Sequence, residues 1–334
     1  MGRGPSKQYY KVLDEDYVKG TLTCLKPEII RQEINTDFPL VVNIEPTNIC
    51  DLKCIYCPRT KAQKGVGMMP WELYRKIIDE LAEHRTLKML HLFKDGESFL
   101  HPDFIKMVHY AKAVSVAKTV RINSNAVCWD DNKINEILDS GIDDITISVD
   151  AAYSITYSRD KKKDCLKRVE SNIKQLLKKR NDNNKLTPFI RVKAMEFNGI
   201  SKEEIEAFIK KWEGIADEVQ ITGIHDWGGA VNGIEITDEK TDYRYPCAIM
   251  WYALAINWDG KVTVCSVDWD TEIEVGDVVR ESLHDIWNGI RLKDARKSQI
   301  DRNFSKFSIC RNCVVWVSVG DMHGWLEKHT EFYK

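Results

Sequence analysis

The chain has no apolar run near the roughly 20 residues needed to cross a bilayer. Its first residues, MGRGPSKQYYKVLDEDY, lack the apolar core of a secretory signal. These absences argue against a membrane partner or export and lead to the expectation of a cytoplasmic protein. A basic excess is missing too: Lys and Arg number 49 against 51 Asp and Glu, a net charge of −2. A general nucleic-acid binder carries a basic face, so no nucleic-acid partner is expected. Proline is sparse, at 9, and there are no internal repeats or low-complexity stretches. What remains is an ordinary globular chain of 334 residues, long enough for one large domain and a small one.

Cysteine, by contrast, is plentiful, with 10 residues. Disulfides are unusual in a reducing compartment, so clustered cysteines read as metal ligands. Seven fall into two sets. Cys50, Cys54 and Cys57 are spaced C-x3-C-x2-C directly after the apolar run Leu40–Ile44, and Cys247, Cys265, Cys310 and Cys313 lie near the C-terminus. Cys24, Cys128 and Cys165 stand alone and default to small buried hydrophobes. Three thiolates on one loop hold three irons of a four-iron cluster and leave the fourth iron open. Structural zinc takes a fourth Cys or His, commonly in C-x2-C pairs. The first set has neither that spacing nor a nearby histidine, since His84 falls within a predicted helix. The second set suits a fully ligated cluster or a closed zinc site equally.

Apolar periodicity predicts strands at Leu40–Thr47, Leu87–Phe93, Lys118–Ile122, Ile145–Val149, Phe189–Met195 and Glu218–Ile224. Helices are predicted between them at Trp71–Arg85, Pro102–Val114, Asp130–Ser140, Lys161–Arg180 and Lys202–Trp212. Such alternation implies an α/β fold with a parallel sheet and helical crossovers, either open or curled into a barrel. Ligands then gather at the C-terminal ends of the strands. The polar candidates fall there: the three cysteines after the first strand, Asp95-Gly96-Glu97 after the second, Asn123 to Asn125 after the third, and Ser148 with Asp150 at the end of the fourth. Beyond residue 240 the pattern changes to a hairpin, Trp251–Trp258 and Lys261–Val264 around Asp259-Gly260, then helices Ser282–Asn288 and Arg291–Gln299. The expected division is an N-terminal extension over 1–38, a barrel unit over 39–235 and an auxiliary unit over 236–334.

The C-x3-C-x-aromatic-C run, with Tyr56 as the aromatic residue, resembles the hallmark of the radical S-adenosylmethionine (radical SAM) superfamily. That resemblance implies a partial (β/α)6 TIM-like barrel. It also implies a 4Fe-4S cluster on Cys50, Cys54 and Cys57 whose open iron binds S-adenosylmethionine. Reductive cleavage of that cofactor, fed by an external donor such as flavodoxin or ferredoxin, gives a 5′-deoxyadenosyl radical that takes a hydrogen atom from the substrate. The cofactor carries the chemistry and the protein orients it. Asp95, Gly96 and Glu97 resemble the Gly-Gly-Glu segment that meets the methionine ammonium, with Asp95 in place of the first glycine and Ser98 in place of a common proline. Asn123, Asn125 and Ser148 resemble ribose contacts. Arg159 sits where relatives place an arginine for the cofactor carboxylate. Each of these also reads as an ordinary rim or cap residue, and Asp150 reads first as structural.

The second set, C-x12-G-x4-C followed by C-x2-C, is similar to the SPASM/twitch extension of the same superfamily. Val319 stands where a full SPASM domain continues with cysteine, so the shorter twitch form is expected, a hairpin plus helix with one auxiliary 4Fe-4S cluster. The resemblance implies an electron acceptor, and by analogy with twitch enzymes that oxidise an aminocyclitol it implies oxidation of a sugar or aminocyclitol alcohol to a ketone. His225 or Asp226, in the loop His225-Asp-Trp-Gly-Gly229, would deprotonate the hydroxyl, unless that loop only packs the two units together. Lys193 and Glu196 end the fifth strand near the same rim. Redox-neutral epimerisation or dehydration of a similar polyol is an alternative, with Cys128 as hydrogen donor. Modification of a ribosomal peptide is another, disfavoured because such enzymes often carry a recognition domain of roughly 80–100 residues before the barrel. A non-enzymatic iron–sulfur or zinc module is the last.

Overall fold

The computed structural model describes residues 27–34, 37–196, 199–223, 227–231, 244–313 and 315–316. After a short helix α1 (Pro27–Glu33), six strands alternate with helices: β1 (Val41–Ile44), α2 (Trp71–His84), β2 (Leu87–His91), α3 (Phe104–Ala113), β3 (Ala117–Ser124), α4 (Asp131–Asp139), β4 (Asp144–Ser148), α5 (Ser154–Lys161), α6 (Leu166–Asp182), β5 (Phe189–Glu196), α7 (Lys202–Trp212) and β6 (Glu218–Gly223). Consecutive strands pair in parallel from β1 to β6. Helix α2 buries one apolar stripe, Tyr74, Ile77, Ile78 and Leu81. Asp130 and Ser201 cap the helices they precede by accepting from the amides of Lys133 and Glu204.

Side chains alternate across a pleated strand. One face of β3–β5 is apolar, with Val120, Ile122, Ile145, Ile147, Ile190, Val192 and Ala194 buried in the core. The other face carries Arg121, Asn123, Asp144, Thr146, Ser148, Arg191 and Lys193. That second face forms the concave, polar lumen of an open partial barrel.

One expectation needs correction. The crossover between β4 and β5 is two helices, not one. Helix α5 ends where Lys162 turns left-handed at φ 58°. It shows no apolar stripe because half of its buried residues, Asp160 and Lys161, are charged. The auxiliary unit holds the expected hairpin and helix, joined to the barrel sheet and extended by one strand. Strand β7 (Ala253–Ile256) pairs in parallel with the free edge of β1, β8 (Lys261–Thr263) pairs antiparallel with β7, and a third strand, β9 (Glu274–Asp277), follows. The whole is one nine-stranded sheet, ordered β6-β5-β4-β3-β2-β1-β7-β8-β9. The hairpin turn closes with the amide of Gly260 donating to the carbonyl of Asn257 at 2.9 Å. Helices α8 (Leu283–Asn288), α9 (Ile290–Ile300) and α10 (Ser308–Arg311) complete the unit. The expected boundary near residue 235 lies outside the described residues.

Candidate active site

The loop after β1 carries Cys50, Cys54 and Cys57, all free and half-buried. Its shape comes from its own backbone: Thr47 donates to the carbonyl of Gly67 (2.7 Å), Asn48 to that of Gly65 (2.8 Å) and Arg59 to that of Leu52 (2.9 Å). Helix α5 then docks the cysteine stretch. The amides of Ile55 and Lys53 donate to the carbonyls of Asp160 (2.9 Å) and Lys161 (3.4 Å). Tyr56 donates its hydroxyl to Asp150 Oδ2 at 2.9 Å, and Lys161 Nζ donates to the same oxygen at 2.5 Å. Burial pushes the Asp150 carboxyl up, but Lys161 and Lys193 outweigh it and hold the group below its ordinary value.

Glu97 is buried and faces the loop after β3. Its carboxylate accepts from Ser124 Oγ (2.8 Å) and the amide of Asn125 (2.7 Å), and burial raises its pKa to about 7. Asn125 donates its side-chain amide to Asp51 Oδ1 (2.7 Å) and lies 3.7 Å from Cys50 Sγ. Gly96 is enclosed: a Cβ there would lie 2.2 Å from the carbonyl oxygen of Thr47 and 2.7 Å from that of Ile49. Asp95 is buried between Lys64 and Lys94, each donating at 2.7 Å. Burial raises its carboxyl, and the two lysines more than reverse this. So the aspartate that replaces the family's glycine is one end of a buried charge cluster.

The predicted residues do not all converge. Asn123 and Ser148 lie on the lumen face, Asn123 in register with Thr146 and Ser148 with Lys193. Arg159 is instead half-exposed on α5, donating to Asp160 (2.7 Å) and to the carbonyl of Gly199 (3.2 Å). Cys128 follows β3 near Glu97 and Asp51; burial and those two carboxylates keep its thiol protonated. His225 and Asp226 lie outside the described residues. Their loop is anchored beside them: Trp227 Nε1 donates to the carbonyl of Tyr56 at 3.1 Å. Next to it, a Cβ on Gly228 would lie 2.4 Å from the carbonyl oxygen of Ile309 in α10.

Of the second set, Cys247 precedes a short helical turn, Cys265 follows β8, Cys310 lies in α10 and Cys313 just after it. The amide of Cys247 donates to Gln299 Oε1 at 3.3 Å. Arg244 donates to the carbonyls of Arg311 (2.6 Å) and Cys310 (2.5 Å) and lies over the ring of Phe304. Burial raises the thiol pKa values in both sets, to about 12 for Cys50, 11 for Cys57 and 12 for Cys247. Left alone these thiols stay neutral; coordination to iron would make them thiolates. Among the described residues, no three His, Cys, Asp or Glu side chains gather as around a single ion. The donor chemistry fits clusters at both places. Asn125 offers an amide to the sulfur of Cys50, and beside the second set Arg244 Nε and Gln299 Nε2 are buried donors without a hydrogen-bond partner among the described residues. Hydrogen bonds to sulfur are a recurrent feature of cluster sites.

Sequence reasoning missed the residues that join the two sets. Lys94 donates to the carbonyl of Asp268, Lys64 to Glu45, and the amides of Gln63 and Lys64 to Asp270. Only the adjacency of Lys94 to the anomalous Asp95 hints at this. A small cavity lined by Asn43, His91, Cys265 and Ser266 runs from the lumen face of β1 and β2 to an auxiliary thiol.

Family comparisons agree with this architecture. Residues 44–211 match the radical SAM superfamily, and residues 247–314 match the SPASM iron–sulfur cluster-binding domain. The chain belongs to the radical SAM superfamily. Its cofactors are accordingly S-adenosylmethionine and two iron–sulfur clusters. It is 28% identical to the GTP 3′,8-cyclase of Chlorobaculum tepidum over 51% of this chain and 48% of that protein, so the match spans about half of the relative's length. Similarity to the sporulation killing factor maturation protein SkfB of Bacillus subtilis is 24% identity over 83% of this chain and 71% of that one. The structure of BtrN in complex with AdoMet and 2-DOIA shares the fold, with a TM-score of 0.57 and 14% identity over 83% of this chain and 93% of that chain. No helix among the described residues is long and apolar enough to cross a membrane.

Proposed function

We propose that the protein oxidises a secondary alcohol on a small polar substrate, a sugar or aminocyclitol, to a ketone. Bound together, the cofactors supply hydrogen-atom abstraction by a radical derived from S-adenosylmethionine and an acceptor for the electron that follows. Cys50, Cys54 and Cys57 hold the cluster that binds S-adenosylmethionine, and Cys247, Cys265, Cys310 and Cys313 hold the auxiliary one. Gly96 lets the segment after β2 pack against the backbone of Thr47 and Ile49 at the start of the cysteine loop. Glu97 keeps Ser124 and Asn125 in place beneath it. Asp150 ties the cysteine loop to α5 through Tyr56 and Lys161. His225 or Asp226 takes the hydroxyl proton, and a flavodoxin or ferredoxin supplies the starting electron.

The observation that supports this reading is the polar lumen, which meets the first cysteine loop at Tyr56–Asp150, while Cys265 lines a water-sized cavity with Asn43 and His91 of β1 and β2. An oxidation ending in electron transfer requires a substrate within reach of both cysteine sets, and a substrate in this lumen would meet that requirement. The extended similarity to a peptide maturation protein supports a second reading, radical modification of a ribosomal peptide. The test is turnover of candidate polyols in deuterated water with S-adenosylmethionine and a reductant. A ketone product supports oxidation. Deuterium at one carbon without net oxidation points to epimerisation with Cys128 as donor. Reaction only with a precursor peptide points to the second reading.

A further inference from the structure

The run Arg159–Arg168, RDKKKDCLKR, carries six basic residues against two acidic ones in a chain of net charge −2. Two of these charges are internal: Lys161 is buried against Asp150, and Asp160 is buried beneath Arg159. The other basic residues are exposed, and Asp164 is the one exposed carboxylate of the run. Backbone hydrogen bonds set this run against the first cysteine loop, where the amides of Lys53 and Ile55 donate to the carbonyls of Lys161 and Asp160. Exposure alternates along that stretch of loop. Leu52 and Tyr56 are buried, Cys54 is half-buried, and Lys53 and Ile55 face out, Ile55 with 45% of its surface exposed. Lys163 extends the basic surface to the start of the loop, 3.9 Å from Asp51. Ile155, 82% exposed, stands four residues before Arg159 and so on the same face of α5. Exposed isoleucines among cations of one sign have the make-up of a protein interface, and such a surface steers partners of opposite charge.

We propose that the surface of Lys53, Ile55, Lys162 and Lys163 docks an acidic one-electron carrier protein of the flavodoxin or ferredoxin kind, so that the starting electron enters through the loop at Cys54. This rests on the reading of Cys50, Cys54 and Cys57 as ligands of the first cluster, and it names the face by which the electron arrives. One electron leaves the carrier's flavin or iron–sulfur centre and reduces the first cluster by one; no bond breaks and no proton moves. Position favours a carrier over a nucleic acid or an anionic membrane. Lys53 and Ile55 flank Cys54 in sequence, so a protein seated on them lies one residue from a cluster ligand. An anionic polymer gains nothing from that placement.

The test uses the reconstituted holoenzyme and a recombinant bacterial flavodoxin. Binding of oxidised flavodoxin is measured by calorimetry. Formation of 5′-deoxyadenosine is driven in parallel by reduced flavodoxin and by dithionite, a small reductant that needs no docking face. The double variant Lys53→Glu/Lys162→Glu should bind flavodoxin about tenfold more weakly and need about tenfold more of it for half-maximal cleavage, with the dithionite-driven rate unchanged. The charge-matched pair Lys178→Glu/Lys210→Glu, exposed on α6 and α7, should stay within about twofold of the wild type. Raising ionic strength from about 0.05 to 0.5 M should weaken flavodoxin binding more in the wild type than in Lys53→Glu/Lys162→Glu. The proposal is overturned by equal losses in the two double variants, or by flavodoxin binding that Lys53→Glu/Lys162→Glu leaves unchanged. Loss of binding to an RNA or to anionic vesicles in that variant, with flavodoxin unaffected, would give the surface to those ligands instead. A dithionite-driven rate that falls in step with the flavodoxin-driven one would also overturn it, because the lysines would then serve the loop itself. If the wild type forms no 5′-deoxyadenosine with either reductant, the radical reading fails, and the binding comparison still decides the docking face.

Discussion

The ammonium of Lys94 donates to the backbone carbonyl of Asp268 at 2.9 Å while also binding Asp95 at 2.7 Å. One side chain therefore ties the segment after β2, which carries Gly96 and Glu97, to the segment that follows Cys265. Lys64 reinforces the tie through Asp95 and Glu45, and the amide of Trp258 donates to the second oxygen of Glu45. The two cysteine sets are held in one frame by this cluster.

Asp95→Gly, which restores the residue common in relatives, should be harmful here. Lys94 and Lys64 would lose their shared partner at a site where all three side chains are at least 93% buried. Removing one partner from a buried ion pair costs about 3–5 kcal/mol. Chemical denaturation should show a loss of that order, and Lys94→Met with Asp95→Leu should recover part of it.

Gly96→Ala places a methyl group against the carbonyls of Thr47 and Ile49, so backbone must move. The hydrogen bond from the amide of Glu97 to the carbonyl of Ile49, 2.8 Å, is the first to suffer. S-adenosylmethionine affinity should fall at least tenfold while iron content stays near the wild-type value.

Glu97 gives stability a pH dependence. Its carboxyl has an ordinary pKa of 4.5 and a folded value of about 7, raised by burial. Between those values the folded state holds a proton that the unfolded state has released. Stability contributed by this group is therefore present below pH 4.5 and declines up to about pH 7. Set against Glu97→Gln, which does not titrate, wild-type stability should drop by about 3 kcal/mol across that window. A flat difference would show that the carboxylate is ionised throughout.

Arg244 Nε and Gln299 Nε2 bear on the auxiliary potential. Both are buried donors without hydrogen-bond partners among the described residues, and Arg244 also binds the carbonyl of Cys310. Hydrogen bonds to cluster sulfur and nearby positive charge raise reduction potentials. Arg244→Gln and Gln299→Leu should each make the auxiliary potential more negative in a spectroscopically monitored titration, leaving the first cluster unchanged.

Much of the fold is legible in the sequence because its strands are apolar and its helices amphipathic. Ile145 and Ile147 announce β4 on their own. What is hidden has a polar or contextual cause. Helix α5 turns Asp160 and Lys161 inward, so no apolar stripe marks it. Strand β9, Glu274-Val-Gly-Asp277, is short and holds a glycine. The pairing of β7 with β1 joins residues about 210 positions apart in sequence, beyond the reach of local pattern. The cysteines are legible because cluster ligation demands a particular residue type at close spacing. Lys64 and Lys94 are not, because a lysine that answers a buried charge looks the same in sequence as one on the surface.

Iron content and S-adenosylmethionine cleavage, measured together, test the central claim most directly. After anaerobic reconstitution the wild type should hold about eight irons per chain and form 5′-deoxyadenosine with a reductant. A Cys50/Cys54/Cys57→Ala variant should keep about four irons and form none. A Cys265/Cys310/Cys313→Ala variant should also keep about four and still cleave the cofactor without oxidising substrate. A wild-type protein with only about four irons and one zinc, or one that forms no 5′-deoxyadenosine, would contradict the account.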